Sequence, residues 1–210
     1  IMAHSDDNGL VLPPKLAPDQ VVIVPIYRKE EDFEKVNQKA LEIKEELEEK
    51  DIRVQYDNRD THKPGWKFSE YEFKGVPVRI AIGPKDLEKG TVEVARRDTL
   101  EKSFYQATDI GAKISHLLDN IQQNLYNKAM DFREERTSTA DSWEEFKDIL
   151  KNRGGFILAH WDGTPETEEK IKQETKASIR LIPFEGYNEP GKCVYTGNPS
   201  KGRVVFAKAY

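Results

Sequence analysis

Apolar positions along this chain recur with two different periods, two and about 3.6, which marks a protein that mixes strands with helices. Val21-Val22-Ile23-Val24 is an unbroken β-branched run and predicts a strand buried on both faces. Phe33, Val36, Ala40, Ile43 and Leu47 then fall three and four apart, so a helix carries them on one face, with Glu42, Glu45, Glu46, Glu48 and Glu49 around the remainder. Residues 53–57 read as the next strand. A strand, a long helix and a strand in that order predict a parallel pair joined by a crossover. Residues 66–73 can form a short helix. After Gly75 a clean alternation sends Val76, Val78, Ile80 and Ile82 to one side and Arg79 and Ala81 to the other, until Gly83-Pro84 stops the strand. Two more strands are expected over 91–98 and 102–108. A long helix follows from 109 to about 136, striped by Ile110, Ile114, Leu117, Ile121, Leu125, Ala129 and Phe132.

The small polar stretch 137–141 reads as a domain boundary. Beyond it Ser142 and Glu145 have capping-box spacing, and Trp143, Phe146, Ile149 and Leu150 give the next helix its buried face. Gly154-Gly155 ends that helix. A strand over 156–161, a helix from Thr164-Pro165 to about 175, and strands over 178–184, 192–195 and 203–210 complete the pattern. The division expected is 1–18 as a tail or linker, 19–136 as one domain and 137–210 as a small α+β domain.

Composition narrows the function. Of 210 residues, 37% are hydrophobic and 34% charged, enough for a core within a charge-rich surface. No stretch approaches the ~18 apolar residues of a membrane span, and the start has neither the basic head nor the apolar middle of a signal peptide, so a cytoplasmic location is expected. Cys193 is the one cysteine, which excludes an internal disulfide. The net charge of -5 argues at first against nucleic acid, but the charge is unevenly spread. Residues 30–51 hold ten acids and four bases, whereas 59–89 hold seven bases and five acids. Enzyme signatures are missing: no glycine-rich phosphate loop, no His-Glu-x-x-His, and four scattered histidines. Ser5-Asp6-Asp7 reads as an acidic turn. These features favour binding over catalysis.

Three stretches carry a family resemblance. His4-Ser5-Asp6-Asp7-Asn8-Gly9-Leu10-Val11-Leu12-Pro13-Pro14, continuing to Ile26, resembles the segment that leads from the third class II catalytic motif into an anticodon-binding domain. Lys63-Pro64-Gly65-Trp66-Lys67-Phe68-Ser69-Glu70-Tyr71-Glu72-Phe73-Lys74-Gly75-Val76-Pro77-Val78-Arg79-Ile80 and Gly83-Pro84-Lys85-Asp86-Leu87 resemble the RNA-reading part of that domain. Cys193-Val194-Tyr195-Thr196-Gly197-Asn198-Pro199-Ser200-Lys201, with the ending Ala207-Lys208-Ala209-Tyr210, is similar to the extra C-terminal domain of the archaeal/eukaryote-like type. The family is prolyl-tRNA synthetase. The resemblance implies an α/β fold, a mixed five-stranded sheet flanked by helices, plus the small α+β domain. It implies proline tRNA as partner, whose anticodon carries two adjacent guanines. For the full-length enzyme it implies a homodimer that uses ATP and Mg²⁺ to attach proline. The catalytic motifs are absent from these residues, so the chain by itself is expected to be inactive. The reading from another class is an α/β protein-interaction or small-ligand module with the acidic helix at 32–50 as its surface.

By the same resemblance, four residues contact the anticodon: Phe68, Glu72, Arg79 and Lys85. Their chemistry suits an unpaired guanine, which asks for stacking and edge contacts. A carboxylate accepts from guanine N1 and N2, a cation donates to O6 and N7, and an aromatic ring stacks. Phe68 and Glu72 are four apart, on one helix face. The four are expected on one open surface. The plainer alternative puts Phe68 in the core and pairs Glu72 with Lys67 or Lys74. Arg28 and Arg59 are weaker candidates for phosphate contacts. Family members often carry a C-terminal zinc site built from cysteines; the matching positions are Asp162, Thr167, Leu181, Cys193 and Thr196. Tetrahedral zinc takes about four Cys or His donors. No structural zinc is therefore expected, and packing of Trp161, Ile171, Ile179, Ile182 and Phe184 is expected to hold that domain. Tyr210 is expected at the end of an ordered strand.

Overall fold

A computed structural model describes residues 2–184 and 188–208. The chain divides into two compact units, Ile1–Ala129 and Met130–Tyr210.

In the first unit, Val21–Pro25 (β1) is an inner strand of the sheet, buried along its whole length. Glu30–Glu48 (α1) crosses over to Val54–Tyr56 (β2), which runs parallel to β1. Pro64–Phe73 (α2) leads to Val78–Ile82 (β3), parallel to β1 on its other side. Pro84–Lys89 (α3), Thr91–Arg96 (β4) and Lys102–Gln106 (β5) follow, and β4 and β5 pair antiparallel. The result is a mixed five-stranded sheet in the order β2-β1-β3-β4-β5 with helices on both faces. One face packs Val21, Ile23, Val78, Ile80 and Ile82 against Val36, Ala40, Ile43 and Leu47 of α1 and against Ile110, Ile114 and Ile121 of Ile110–Glu135 (α4). The other face packs Val22 and Val24 under Tyr71 and Phe68 of α2. No helix among the described residues is long and apolar enough to cross a membrane.

In two places this unit departs from the pattern read in the sequence. Val76 lies before β3 and packs with Val22, Val24 and Tyr71, on the face opposite Val78, because the alternation begins only after Pro77. Gly83-Pro84, which stops the strand, also opens a short helix, α3, that the sequence pattern does not announce. Gly83 is its N-cap, its amide donates to Asp86 Oδ2 at 2.9 Å, and Gly90 closes the helix at φ +64°.

The second unit runs through Thr137–Ala140 (β6), Trp143–Asn152 (α5), Phe156–His160 (β7), Pro165–Thr175 (α6), Ala177–Leu181 (β8), Gly191–Lys192 (β9), Pro199–Ser200 (β10) and Arg203–Lys208 (β11). Strand β6 pairs parallel with β7, so the small polar stretch read as a boundary is a strand. Its threonines are β-branched and sit at a sheet edge, where alternate positions face water. Strand β11 lies antiparallel between β7 and β8, while β9 and β10 form a separate two-stranded pair. Ser142 caps α5 by accepting from the Glu145 amide at 3.2 Å, and the Glu145 carboxylate reaches back to the Asp141 amide. The core is Phe146, Ile157, Ile171, Val204 and Phe206, with Trp161 and Ile179 partly buried against it. Ile182 and Phe184 are exposed instead, because β8 ends at Leu181 and carries neither of them into the sheet. Tyr210 lies outside the described residues.

Candidate nucleic-acid interface

Helical spacing brings Phe68, Tyr71 and Glu72 to one side of α2, and Tyr71 and Phe68 lie against the sheet. Strand alternation puts Arg79 on that same face of β3. Directly across the ladder stands Ala95, whose small side chain leaves room, and Glu93 is its diagonal neighbour on β4. The Arg79 guanidinium lies 3.6 Å from the centre of the Phe68 ring, and its Nη2 donates to Glu93 at 3.0 Å. Its Nη1 is buried and has no hydrogen-bond partner among the described residues. The residue is 8% exposed. Burial lowers its pKa from the ordinary arginine value, opposed by the Glu93 and Glu72 carboxylates. An arginine nonetheless stays charged, so the site holds a fixed cation whose Nη1 keeps its N–H donors unused.

These side chains wall a cavity of about 240 Å³, completed by Val76, Arg97, Leu100 and Lys102. That is below the ~300 Å³ at which sites for drug-sized ligands begin, so the space suits one planar ring. Glu72 forms no ion pair with a described residue. The pairings expected of it go to its neighbours: Lys74 binds Glu70 at 2.7 Å, and buried Lys67 lies 3.3 Å from Asp57. Arg59 is similarly committed, to Asp57 at 2.7 Å and Glu70 at 2.6 Å, so it is no free phosphate contact. Arg28 is exposed just after β1.

Lys85 does not join the other three. It is exposed on α3, past the far end of the strand that carries Arg79, and lines no part of this cavity. Arg79 and Gly83 are four strand steps apart, about 13 Å of backbone. The four residues thus do not share one open surface: three gather around a recess, and one of those is buried beneath α2.

Sequence reasoning missed what braces the recess. Arg97 is buried, takes both oxygens of Asp6 at 2.6 and 2.8 Å, and donates to the Glu72 carbonyl at 2.9 Å, holding the last turn of α2. The hydrogen bonds from Arg97 hold the Asp6 carboxyl down at about 2. Leu10 and Leu12 donate alongside to the carbonyls of Phe73 and Gly75. Asp6 and Arg97 are 91 positions apart, and no local pattern announces that pair.

Residues 20–124 match the family model of the anticodon binding domain, and residues 143–210 that of the C-terminal region of prolyl-tRNA synthetase. The chain is 59% identical over 210 residues to the proline–tRNA ligase of Christiangramia forsetii, 60% to that of Porphyromonas gingivalis and 55% to that of Amoebophilus asiaticus. This chain belongs to the prolyl-tRNA synthetase family. All of it aligns with those relatives but only 42–43% of each of them aligns with it, so it spans less than half their length.

The positions where prolyl-tRNA synthetases often place zinc ligands do not suit zinc here. Asp162 Oδ2 accepts from Thr167 Oγ1 at 2.9 Å, Thr196 Oγ1 at 2.8 Å and Asn198 at 3.4 Å, while Oδ1 accepts from Thr164 Oγ1 at 2.9 Å. Burial pushes this carboxyl up, but the hydroxyl bonds from Thr196, Thr164 and Thr167 outweigh it and leave the group below its ordinary value. Leu181 is exposed and Cys193 is buried. One thiol and one carboxylate already saturated by hydroxyls make no tetrahedral donor set.

Proposed function

We propose that this chain reads the anticodon of proline tRNA, as the RNA-binding part of a proline–tRNA ligase. One observation carries the reading: a buried arginine, stacked on Phe68 and tethered to Glu93, keeps Nη1 unpaired beside the unpaired Glu72 carboxylate. Folding alone gives no reason for that orphan, which costs about 1–3 kcal/mol in a folded protein. A guanine edge pairs donors at N1 and N2 with acceptors at O6 and N7. Glu72 accepts from the first pair and Arg79 Nη1 donates to the second. Lys85, exposed at the other end of β3, contributes a phosphate contact.

In the whole protein, ATP and Mg²⁺ serve the attachment of proline, carried by segments outside these residues. The enzyme works as a cytoplasmic homodimer, with 19–136 and 137–210 as the domains it contributes here. The decisive experiment compares binding of proline tRNA with intact and replaced anticodon guanines. Each bidentate edge contact discriminates by about 1–3 kcal/mol, or roughly 5- to 150-fold. Glu72→Gln keeps the shape but turns one acceptor toward donors into another donor, and Arg79→Ala removes the cation. Both variants should bind the two RNAs alike. Retention of the wild-type preference by both would refute the assignment.

A further inference from the structure

The second unit has a cleft of its own, of about 730 Å³, at the end of α5 and the edge of the sheet. Four cations line it, Arg136, Arg153, Arg180 and Lys208, and among the described residues no acid does. All four are exposed, and none forms an ion pair with a described residue. That is unusual in a chain of net charge -5, whose other arginines are largely taken: Arg59, Arg79, Arg96, Arg97 and Arg203 each hold a carboxylate. Two aromatic rings share the cleft. Phe132 is 55% exposed, and the Arg136 guanidinium stands 4.3 Å from its ring centre. Phe156 is half-buried beside the Gly154-Gly155 turn. At Gly155, φ is +84° and an added Cβ would fall 2.2 Å from the Arg136 carbonyl, so the backbone passes close beneath Arg136.

Unpaired guanidinium and ammonium groups beside an exposed ring are the elements by which proteins hold a nucleic-acid strand irrespective of sequence, cations on phosphates and aromatics under bases. The geometry points to this cleft as a second RNA-binding site, one that takes the phosphodiester backbone of the tRNA and adds affinity without reading sequence. It rests on the proposed RNA partner, and it is separate from the recess that reads guanine. Of the four cations, Arg153 also donates to the Glu135 carbonyl at 2.8 Å and so has a structural task. The other three are the ones to remove.

The test titrates the 210-residue chain with proline tRNA and with a tRNA of another anticodon, at several salt concentrations. The variant Arg136→Gln/Arg180→Gln/Lys208→Gln is compared with Lys170→Gln/Lys192→Gln/Lys201→Gln, which removes the same charge from exposed positions of the same unit outside the cleft. Exposed substitutions of this kind barely alter stability, and a melting curve confirms folding. The cleft variant is expected to weaken both RNAs by the same factor, on the order of tenfold. The slope of log affinity against log salt should flatten by roughly 0.7–0.9 for each phosphate that is no longer neutralised. The control is expected to bind like wild type. Wild-type affinity and slope in the cleft variant would overturn the inference, and so would an equal weakening in the control. If the wild-type chain favours neither RNA but the cleft variant weakens both, the guanine-reading proposal fails and the cleft stands. If the wild-type chain binds no tRNA at all, both fall together.

Discussion

At the scale of single residues, Arg79 is the side chain that folding explains least. It is buried, its charge is only partly compensated, and one nitrogen has no partner among the described residues. A methionine of similar length would fill the same space without the orphan, and replacing buried charge by well-packed apolar groups is often neutral or stabilising. Arg79→Met should therefore leave the melting temperature unchanged or raise it, while abolishing preference for the anticodon guanines; thermal melts and tRNA titrations on one preparation check both halves. Asp57 is the contrasting case, a buried charge that serves structure. Burial pushes its pKa up, but Arg59 and Lys67 outweigh burial and hold the carboxyl well below its ordinary value. Since the folded group ionises below the unfolded chain's ~3.9, its stabilisation is present in full above that pH and fades as pH falls toward the folded value. Asp57→Asn should cost about 3 kcal/mol at pH 7, because it leaves Lys67 buried and unpaired. That deficit relative to wild type should shrink steadily below about pH 4 in urea unfolding.

At the scale of elements, the positions readable in the sequence are those where one periodicity dominates. Val21 to Val24 gives a central strand, the Phe33–Leu47 stripe gives α1 and the Ile110–Leu125 stripe gives α4, each because its apolar side meets a core. Phe68, Glu72 and Arg79 meet at one recess for the same local reasons, helical spacing in one element and strand alternation in the next. What escaped the sequence depends on partners far along the chain or on elements too short to carry a period. Helix α3 has six residues, less than two turns. Strand β6 is polar because it is an edge, and only Ala140 in it is fully buried. The exposure of Phe184 depends on where β8 stops, which an apolar run does not mark. Among the turns, Gly155 makes the firmest forecast. Its left-handed backbone and the 2.2 Å approach to the Arg136 carbonyl leave no room for a methyl group. Gly155→Ala should destabilise the second unit by more than the ~1 kcal/mol of an ordinary glycine-to-alanine conflict, with Gly163→Ala, also at φ +84° but with open space around it, as the milder comparison in the same melting assay.

For the molecule as a whole, the two units keep separate cores, one built from residues of 11–125 and the other from residues of 140–206. The functions proposed for them divide likewise, discrimination in the first and sequence-blind affinity in the second. Phe146 is fully buried in the second core, and truncating such a ring costs about 3–5 kcal/mol. Phe146→Ala should therefore lower overall tRNA affinity near the melting range of the second unit while the ratio between cognate and mismatched anticodons stays as in wild type. Asp162 carries a different consequence. A fastening made of one acid and its ring of alcohols contains nothing that can be stripped out, exchanged for a competing ion or rusted shut. EDTA and mild oxidants should accordingly leave the melting curve of this unit superimposable on that of untreated protein, so that its upkeep draws nothing from a cell's supply of trace elements.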